Sequence, residues 1–334
     1  KSSAASDVYK RQRQICIVFA TALLACALLT GCGAAKEDNL SQGIALVEQM
    51  DYEGALTCFE AAALNKEDMR QVYRGQGLAY MGMTDYENAA ASFEKALGQS
   101  SPRPDAMDYD INYYLATAYY RNGQVDKAIH VYQAITDLKP GEKTAWYLKG
   151  TMELEQGSMD AAKADFDKAV EAAPNDYDIR IDIFCSCSKY GQDDLGKSYL
   201  ENVLDGDRKR ISDFDLGRIS YYLGDYEQAR TSLEKAQENG GAEAASLLGQ
   251  TYEALGDYNY AASVYNTYLQ NKTPDASLYN QLGLCKLKGG DYEAALAAFQ
   301  AGLEVEGNTA TQSLMFNELV AYAVSYTHLT LPTT

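Results

Sequence analysis

The chain has 334 residues, 46% of them hydrophobic, which is enough to build a sizeable core and excludes wholesale disorder. Six prolines among abundant Ala, Leu, Glu and Lys favour helices over strands. The formal charge is −18; residues 1–31 are net positive by three (Lys1, Lys10, Arg11 and Arg13 against Asp7), so the remainder carries −21 and repels nucleic acid and anionic headgroups at long range.

In chain order, residues 1–12 (KSSAASDVYKRQ) match no neighbouring pattern, and neither does the closing stretch VSYTHLTLPTT. Both resemble translated adapter sequence, so 1–12 and 323–334 are expected to be non-native and are set aside. On that reading the natural gene extends beyond both ends.

Residues 13–31 read as an export signal. The uncharged run Ile15–Leu29, behind the basic Arg11 and Arg13, is 15 residues long. A bilayer-spanning helix needs about 20, and the shorter length suits a signal-peptide core. Leu29-Thr30-Gly31-Cys32 follows at once and resembles the lipobox of bacterial lipoproteins. A plain secretory signal or an uncleaved anchor would share the apolar run. The small residues and the cysteine in register with it favour lipidation of Cys32. That resemblance implies cleavage before Cys32, a lipid anchor in the bacterial cell membrane and an extracytoplasmic location, with 32–38 as a short tether. Two acyl chains suffice for stable anchoring. Four cysteines remain beyond it: Cys58, Cys185, Cys187 and Cys285 are expected to be small buried apolar residues. Cys185 and Cys187, two apart on one helix, point in different directions and cannot readily bridge.

From residue 39 to 322 one phrase recurs: a turn with Gly, Asp and Tyr, then Ala, then an aromatic four residues on. It reads MDYEGALTCF at 50–59, TDYENAAASF at 84–93, NGQVDKAIHVY at 122–132, QGSMDAAKADF at 156–166, LGDYEQARTSL at 223–233, LGDYNYAASVY at 255–265 and GGDYEAALAAF at 289–299, with a degenerate copy, YGQDDLGKSYL, at 190–200. The small residue falls at Ala55, Ala89, Ala128, Ala162, Gly196, Ala229, Ala261 and Ala295, in steps of 34, 39, 34, 34, 33, 32 and 34. A period of 34 with this signature resembles the tetratricopeptide repeat (TPR). The resemblance implies an all-α fold, a right-handed α-α solenoid of about eight helix pairs, with a ninth begun at Thr311–Tyr322 and cut short. An apolar face is then expected to lie exposed at that end.

The fourth copy fits best, with Trp146, Gly150, Gly157, Ala162, Phe166, Ala169 and Pro174. Gly150 and Ala162 are expected where the two helices cross, and Gly157 in a turn that needs positive φ. In the fifth, Phe184 stands where Gly is expected and Gly196 where Ala is expected, so bulk and gap exchange sides. The 39-residue step marks a longer loop near Gly98–Pro104, an elbow between the second and third repeats.

In this family the first helix of each pair lines a concave face that holds ligands. Projecting the phase puts Arg74, Tyr113, Tyr147, Ile181, Phe214, Ser246 and Asn280 on that lining. One turn later come Leu78, Thr117, Thr151, Cys185, Arg218, Gln250 and Leu284, and further along Tyr120 and Tyr221. The Lys and Asn set of carboxylate-clamping TPR adaptors is missing, and aromatics stand in the middle repeats. A peptide or protein segment gripped around Tyr113, Tyr147, Phe214, Arg218 and Tyr221 is therefore expected.

No catalytic residue, cofactor or metal site is expected. The two histidines are His130, on a helix, and His328, in the tail, so base-assisted nucleophiles lack a base. CxxC and HExxH spacings and a Gly-rich phosphate loop are absent. The partner expected is an unidentified protein or peptide, with membrane contact through Cys32 and no nucleic acid. By fold-level analogy the role is an interaction scaffold, such as an envelope-assembly factor. The alternative is a small-ligand or glycan-capturing surface lipoprotein, disfavoured because such sites use several tryptophans and this chain has one.

Overall fold

The computed structural model describes residues 38–206, 211–236 and 241–330. The expected export signal, Cys32 and most of the tether lie outside them, as do residues 1–12 and the last four. Among the described residues there are seventeen helices and no strand. Sixteen of them form eight consecutive pairs: α1 (Asn39–Glu48) with α2 (Tyr52–Leu64), α3 (Met69–Gly82) with α4 (Tyr86–Leu97), α5 (Ala106–Arg121) with α6 (Val125–Leu138), and α7 (Lys143–Glu155) with α8 (Met159–Ala172). They continue as α9 (Tyr177–Lys189) with α10 (Asp193–Leu204), α11 (Asp213–Leu223) with α12 (Tyr226–Ala236), α13 (Gly241–Ala254) with α14 (Tyr258–Asn271), and α15 (Ala276–Lys288) with α16 (Tyr292–Leu303). The last, α17 (Thr311–Thr330), stands alone and runs on past residue 322. This is the α-α solenoid that the period implies. It divides into two compact units, the first ending at Tyr199 and the second beginning at Leu200.

The recurring phrase builds each hairpin. Its Asp caps the second helix: Asp51, Asp85, Asp225 and Asp291 accept from the backbone N–H three residues on, at 3.0–3.2 Å. Each such cap contributes about 1 kcal/mol. The residue before the N-cap takes left-handed φ, 84° at Gly224 before Asp225 and 79° at Gly157 before Ser158. Glycine reaches that region at no steric cost. In the first two repeats Met50 (φ 63°) and Thr84 (φ 61°) occupy the same turn and carry the strain of a side chain there.

The Ala and the aromatic are the core. Ala55, Ala89, Ala128, Ala162, Ala229, Ala261 and Ala295 are fully buried, as are Phe59, Phe93, Phe166, Tyr265 and Phe299. Each large side chain so buried contributes roughly 1.5–3 kcal/mol. The aromatic lies over a glycine twelve residues before the Ala: a Cβ on Gly150 would meet the Phe166 ring at 2.8 Å. The fifth pair inverts this. Gly196, on the second helix, lies against Phe184, and a Cβ there would come within 3.1 Å of the Phe184 backbone.

The elbow is stapled rather than loose. Arg70 of α3 grips Asp105 through both guanidinium nitrogens, at 2.7 and 2.6 Å, and reaches Asp108 at 2.5 Å. Ser100 donates to the same Asp108 carboxylate. Asp105 and Asp108 also form the capping box of α5. Of the cysteines, Cys187 and Cys285 are buried as expected, whereas Cys58 and Cys185 are only half-buried. Burial pushes the Cys187 thiol up to about 12.

Candidate partner-binding surface

In the first unit successive first helices are tied by side chains about one repeat apart. Arg74 of α3 donates to Asp110 of α5 at 2.6 Å, with its guanidinium 5.8 Å above the Tyr114 ring. Glu155 of α7 accepts from the hydroxyls of Tyr120 (2.6 Å) and Tyr190 (2.7 Å), and Lys189 donates to the Tyr190 hydroxyl at 2.9 Å. Burial opposes ionisation of Glu155, but the two phenol hydrogen bonds outweigh it and hold the carboxyl below its ordinary range. Burial, then the nearby Glu155, pushes the Tyr120 hydroxyl up to about 12, so it stays a donor. Tyr120, Glu155 and Tyr190 thus form a polar ladder across three repeats.

Tyr113 is half-buried, its ring edge-on to Tyr132 at 5.8 Å, and its hydroxyl is shut off from water without a hydrogen-bond partner. Tyr147 departs from the expected lining: it is 8% exposed, packs with Phe166, and its hydroxyl shares a 2.9 Å hydrogen bond with Ser186 of α9. Ile181 is buried too. The physical reason is common to both: their place in the repeat falls where neighbouring first helices press together, so a ring there is enclosed.

In the second unit Arg218 is buried, 5.3 Å from the Phe214 ring and within ion-pair reach of Asp215 (3.5 Å) and Glu243 (3.9 Å). Its charge is therefore committed within the fold. Tyr221 packs against Tyr222 and Tyr226, with centroids 5.6 and 5.7 Å away, and its hydroxyl donates to Gln250 at 3.3 Å. Gln250 donates to Ser246, which donates to Gln281, both at 2.9 Å. Between the same two helices, α13 and α15, Lys288 donates to Glu253 at 2.6 Å.

Of the expected residues, Phe214 and Arg218 meet in the second unit, where Phe214 and Tyr221 pack against one core cluster, whereas Tyr113 packs on Tyr132 and Tyr147 on Phe166, in separate clusters of the first unit. Sequence reasoning missed Glu155 and Tyr190. The steps of 35 residues from Tyr120 to Glu155 and from Glu155 to Tyr190 were visible, but one turn past the projected positions. A cavity of about 270 Å³ also opens behind the elbow, lined by Leu97, Pro104, Tyr109, Ile135 and Leu138 with Asp108 at its edge. His130 is exposed. Among the described residues no group of three or more His, Cys, Asp or Glu is placed to hold a metal ion.

A family model described as Tetratricopeptide repeat matches residues 40–106, 74–141, 113–177, 214–277 and 248–312. The chain belongs to the tetratricopeptide-repeat family. The matches leave out most of the α9–α10 pair, where bulk and gap are exchanged. Among solved structures, yeast Tom70 is similar in fold, with a TM-score of 0.53 at 15% identity, covering 89% of this chain and 67% of that one. A tetratricopeptide repeat protein from Parabacteroides merdae aligns at 14% identity and TM-score 0.46 over 76% of this chain and 99% of its own. No curated protein sequence matches the chain. The repeat family makes protein and peptide partners the general expectation.

Proposed function

We propose that this chain is a membrane-anchored, extracytoplasmic interaction scaffold that holds a peptide or protein segment along its first helices and serves in envelope assembly. The observation that carries the reading is the pair of ladders, Tyr120–Glu155–Tyr190 in one unit and Tyr221–Gln250–Ser246 in the other. They hold aromatic rings and hydrogen-bonding tips in fixed places, half-buried, along consecutive first helices. Rigid rings with polar ends make large contacts at low entropic cost. The anchor rests on the run Ile15–Leu29 followed by Thr30-Gly31-Cys32.

Two experiments test this. Envelope extract is passed over the wild-type chain and over a Tyr113→Ala/Phe214→Ala/Tyr221→Ala variant of equal helicity and melting temperature. Tyr147 is left intact because its alanine variant would damage the core. One dominant protein held by the first and lost from the second is expected; equal capture would move the site elsewhere. Separately, Cys32→Ser is expected to abolish palmitate labelling and detergent-phase partition, and unchanged partition would overturn the anchor.

A further inference from the structure

The join between the second and third pairs is built differently from its neighbours. Four residues separate α2 from α3 (65–68), α6 from α7 (139–142) and α8 from α9 (173–176), so each second helix runs almost directly into the next pair. Between Leu97 of α4 and Ala106 of α5 there are eight (98–105). The added length is braced rather than slack. Pro102 and Pro104 each fix one backbone angle. Ser101 donates to the Arg103 carbonyl at 2.7 Å, and Ser100 donates to Asp108. Arg70 ties Asp105, the last loop residue, to α3. Behind this braced arch lies the cavity of about 270 Å³, walled by the loop, by α5 and by α6.

The walls specify a ligand. Leu97, Pro104, Ile135 and Leu138 make most of the lining apolar, and Tyr109 adds an aromatic side. Ala134 and Leu138, a turn apart on α6, are exposed and border the opening, with the buried Ile135 between them. Among the lining residues the one ionised side chain is Asp108. It is 4% exposed and engaged at both oxygens: Oδ1 accepts from Arg70 and Ser100, and Oδ2 from the Asp105 N–H. Its charge is spent on Arg70 within the staple, so the lining offers no free cation to a phosphate and no free carboxylate to an amine. An ion entering would lose its water without replacement. Asn112 supplies the polar contact. Its side-chain N–H donates to the Asp108 carbonyl at 2.8 Å, which leaves Oδ1 as an acceptor on the cavity wall. Size completes the description. An apolar cavity of about 150 Å³ holds one benzene ring, so this one has room for two fused rings.

We propose that the elbow cavity is a binding site for a small uncharged aromatic molecule, two fused rings in size, with one N–H or O–H donor directed at Asn112. Such a ligand replaces water against the apolar walls, meets the Tyr109 ring and gives Asn112 its hydrogen bond. Neither the lipid anchor nor the ladders on the first helices take part, so the site stands or falls apart from them.

The probe is indole, titrated into the full chain by isothermal calorimetry. Saturable binding of one indole per chain is expected. 1-Methylindole keeps the rings but lacks the donor, and is expected to bind about tenfold more weakly, the loss of one hydrogen bond. Indole-3-acetate brings a charge and is expected to be weaker than either. Asn112→Ala is expected to weaken indole about tenfold and leave 1-methylindole unchanged. Ala134→Phe puts a ring across the opening at an exposed position, and is expected to abolish binding with helicity and melting temperature unchanged. Leu138→Glu, also exposed, is expected to weaken binding from the rim in a second background. Absence of an indole isotherm, equal binding of indole and 1-methylindole to the wild type, or indole binding indifferent to both Ala134→Phe and Leu138→Glu would each overturn the proposal. So would N-acetyltryptophanamide binding more tightly than indole, since the side chain of a peptide would then be the occupant.

Discussion

The fourth and fifth repeats are 34 residues apart and solve one packing problem in opposite ways. In the fourth, which carries the fullest motif, three charged side chains enter the interior. Lys149 lies 2.9 Å from Asp165 and 3.5 Å from Glu153, all three are buried, and one Glu153 oxygen finds no hydrogen-bond partner. In the fifth, which departs most from the motif, the corresponding places hold the buried Ile183, Cys187 and Tyr199, none of them charged. Motif strength and core quality are thus separate properties. The motif secures the helix crossing through Gly150, Ala162 and Phe166, and a strong crossing tolerates an ionic cluster beside it. The fifth repeat has a rearranged crossing, Gly196 against the Phe184 backbone, with Ile183, Cys187 and Tyr199 in place of the three charges.

The largest effect that would break the comparison comes from Lys149. Lys149→Ala leaves two buried carboxylates uncompensated and is expected to cost about 3–5 kcal/mol by urea unfolding. Replacing the whole cluster (Lys149→Met, Glu153→Leu, Asp165→Leu) makes the fourth repeat resemble the fifth and is expected to be neutral or to stabilise by about 1–4 kcal/mol. A triple variant as unstable as Lys149→Ala would show that the charges contribute more than their desolvation costs.

Next come the crossings. Gly196→Ala places a Cβ 2.9 Å from the Cβ of Cys187 and 3.1 Å from the Phe184 backbone, which cannot give way, and is expected to cost about 1–3 kcal/mol in thermal unfolding. Gly150→Ala presses on the Phe166 ring and the Ala162 carbonyl and belongs in the same range. If Gly196→Ala were silent, the exchange of bulk and gap would not be what holds the fifth pair.

A pH series sharpens the difference in charge. Burial first, and then Asp165 beside it, raises the Glu153 carboxyl to about 7. Folded chain therefore holds a proton that unfolded chain releases near the ordinary value of 4.5. The stabilisation is complete below about pH 4.5 and is lost as pH rises towards 7, so wild type should fall relative to Glu153→Gln across that window. After discounting for solvent screening the difference is on the order of 1–2 kcal/mol, read as the pH dependence of the gap in melting temperature. A gap constant with pH would remove the ionisation from the account.

The smallest effect concerns what the two repeats share. Gly157 and Gly191 both take left-handed φ, 79° and 74°. Transplanting that residue into the first two repeats, Met50→Gly and Thr84→Gly, relieves strain but adds freedom to the unfolded chain. Each change is expected to gain about 0.5–1 kcal/mol by urea unfolding. A loss would show that Met50 or Thr84 makes a contact worth more than the strain.

Much of this fold was legible because it repeats. Gly157 in the turn, Ala162 at the crossing and Phe166 in the core follow from spacing, since each residue type fits one steric condition that recurs every 34 residues or so. The surface was less legible. Tyr147 and Arg218 were expected to face a partner, yet one is enclosed between α7 and α9 and the other is paired with Asp215 and Glu243. The period places a residue on a helix face but does not say how closely the next helix approaches that face.

By itself the sequence determined the period, the all-helical class, the helix caps, the glycine turns and the small-over-aromatic crossings, because these depend on contacts within one hairpin. Only the tertiary structure decided which groups on the first helices are spent on neighbouring repeats. It also decided that Lys149, Glu153 and Asp165 converge, and that a cavity stays open behind the elbow. Those outcomes depend on side chains from different helices meeting, and on how much water their approach leaves.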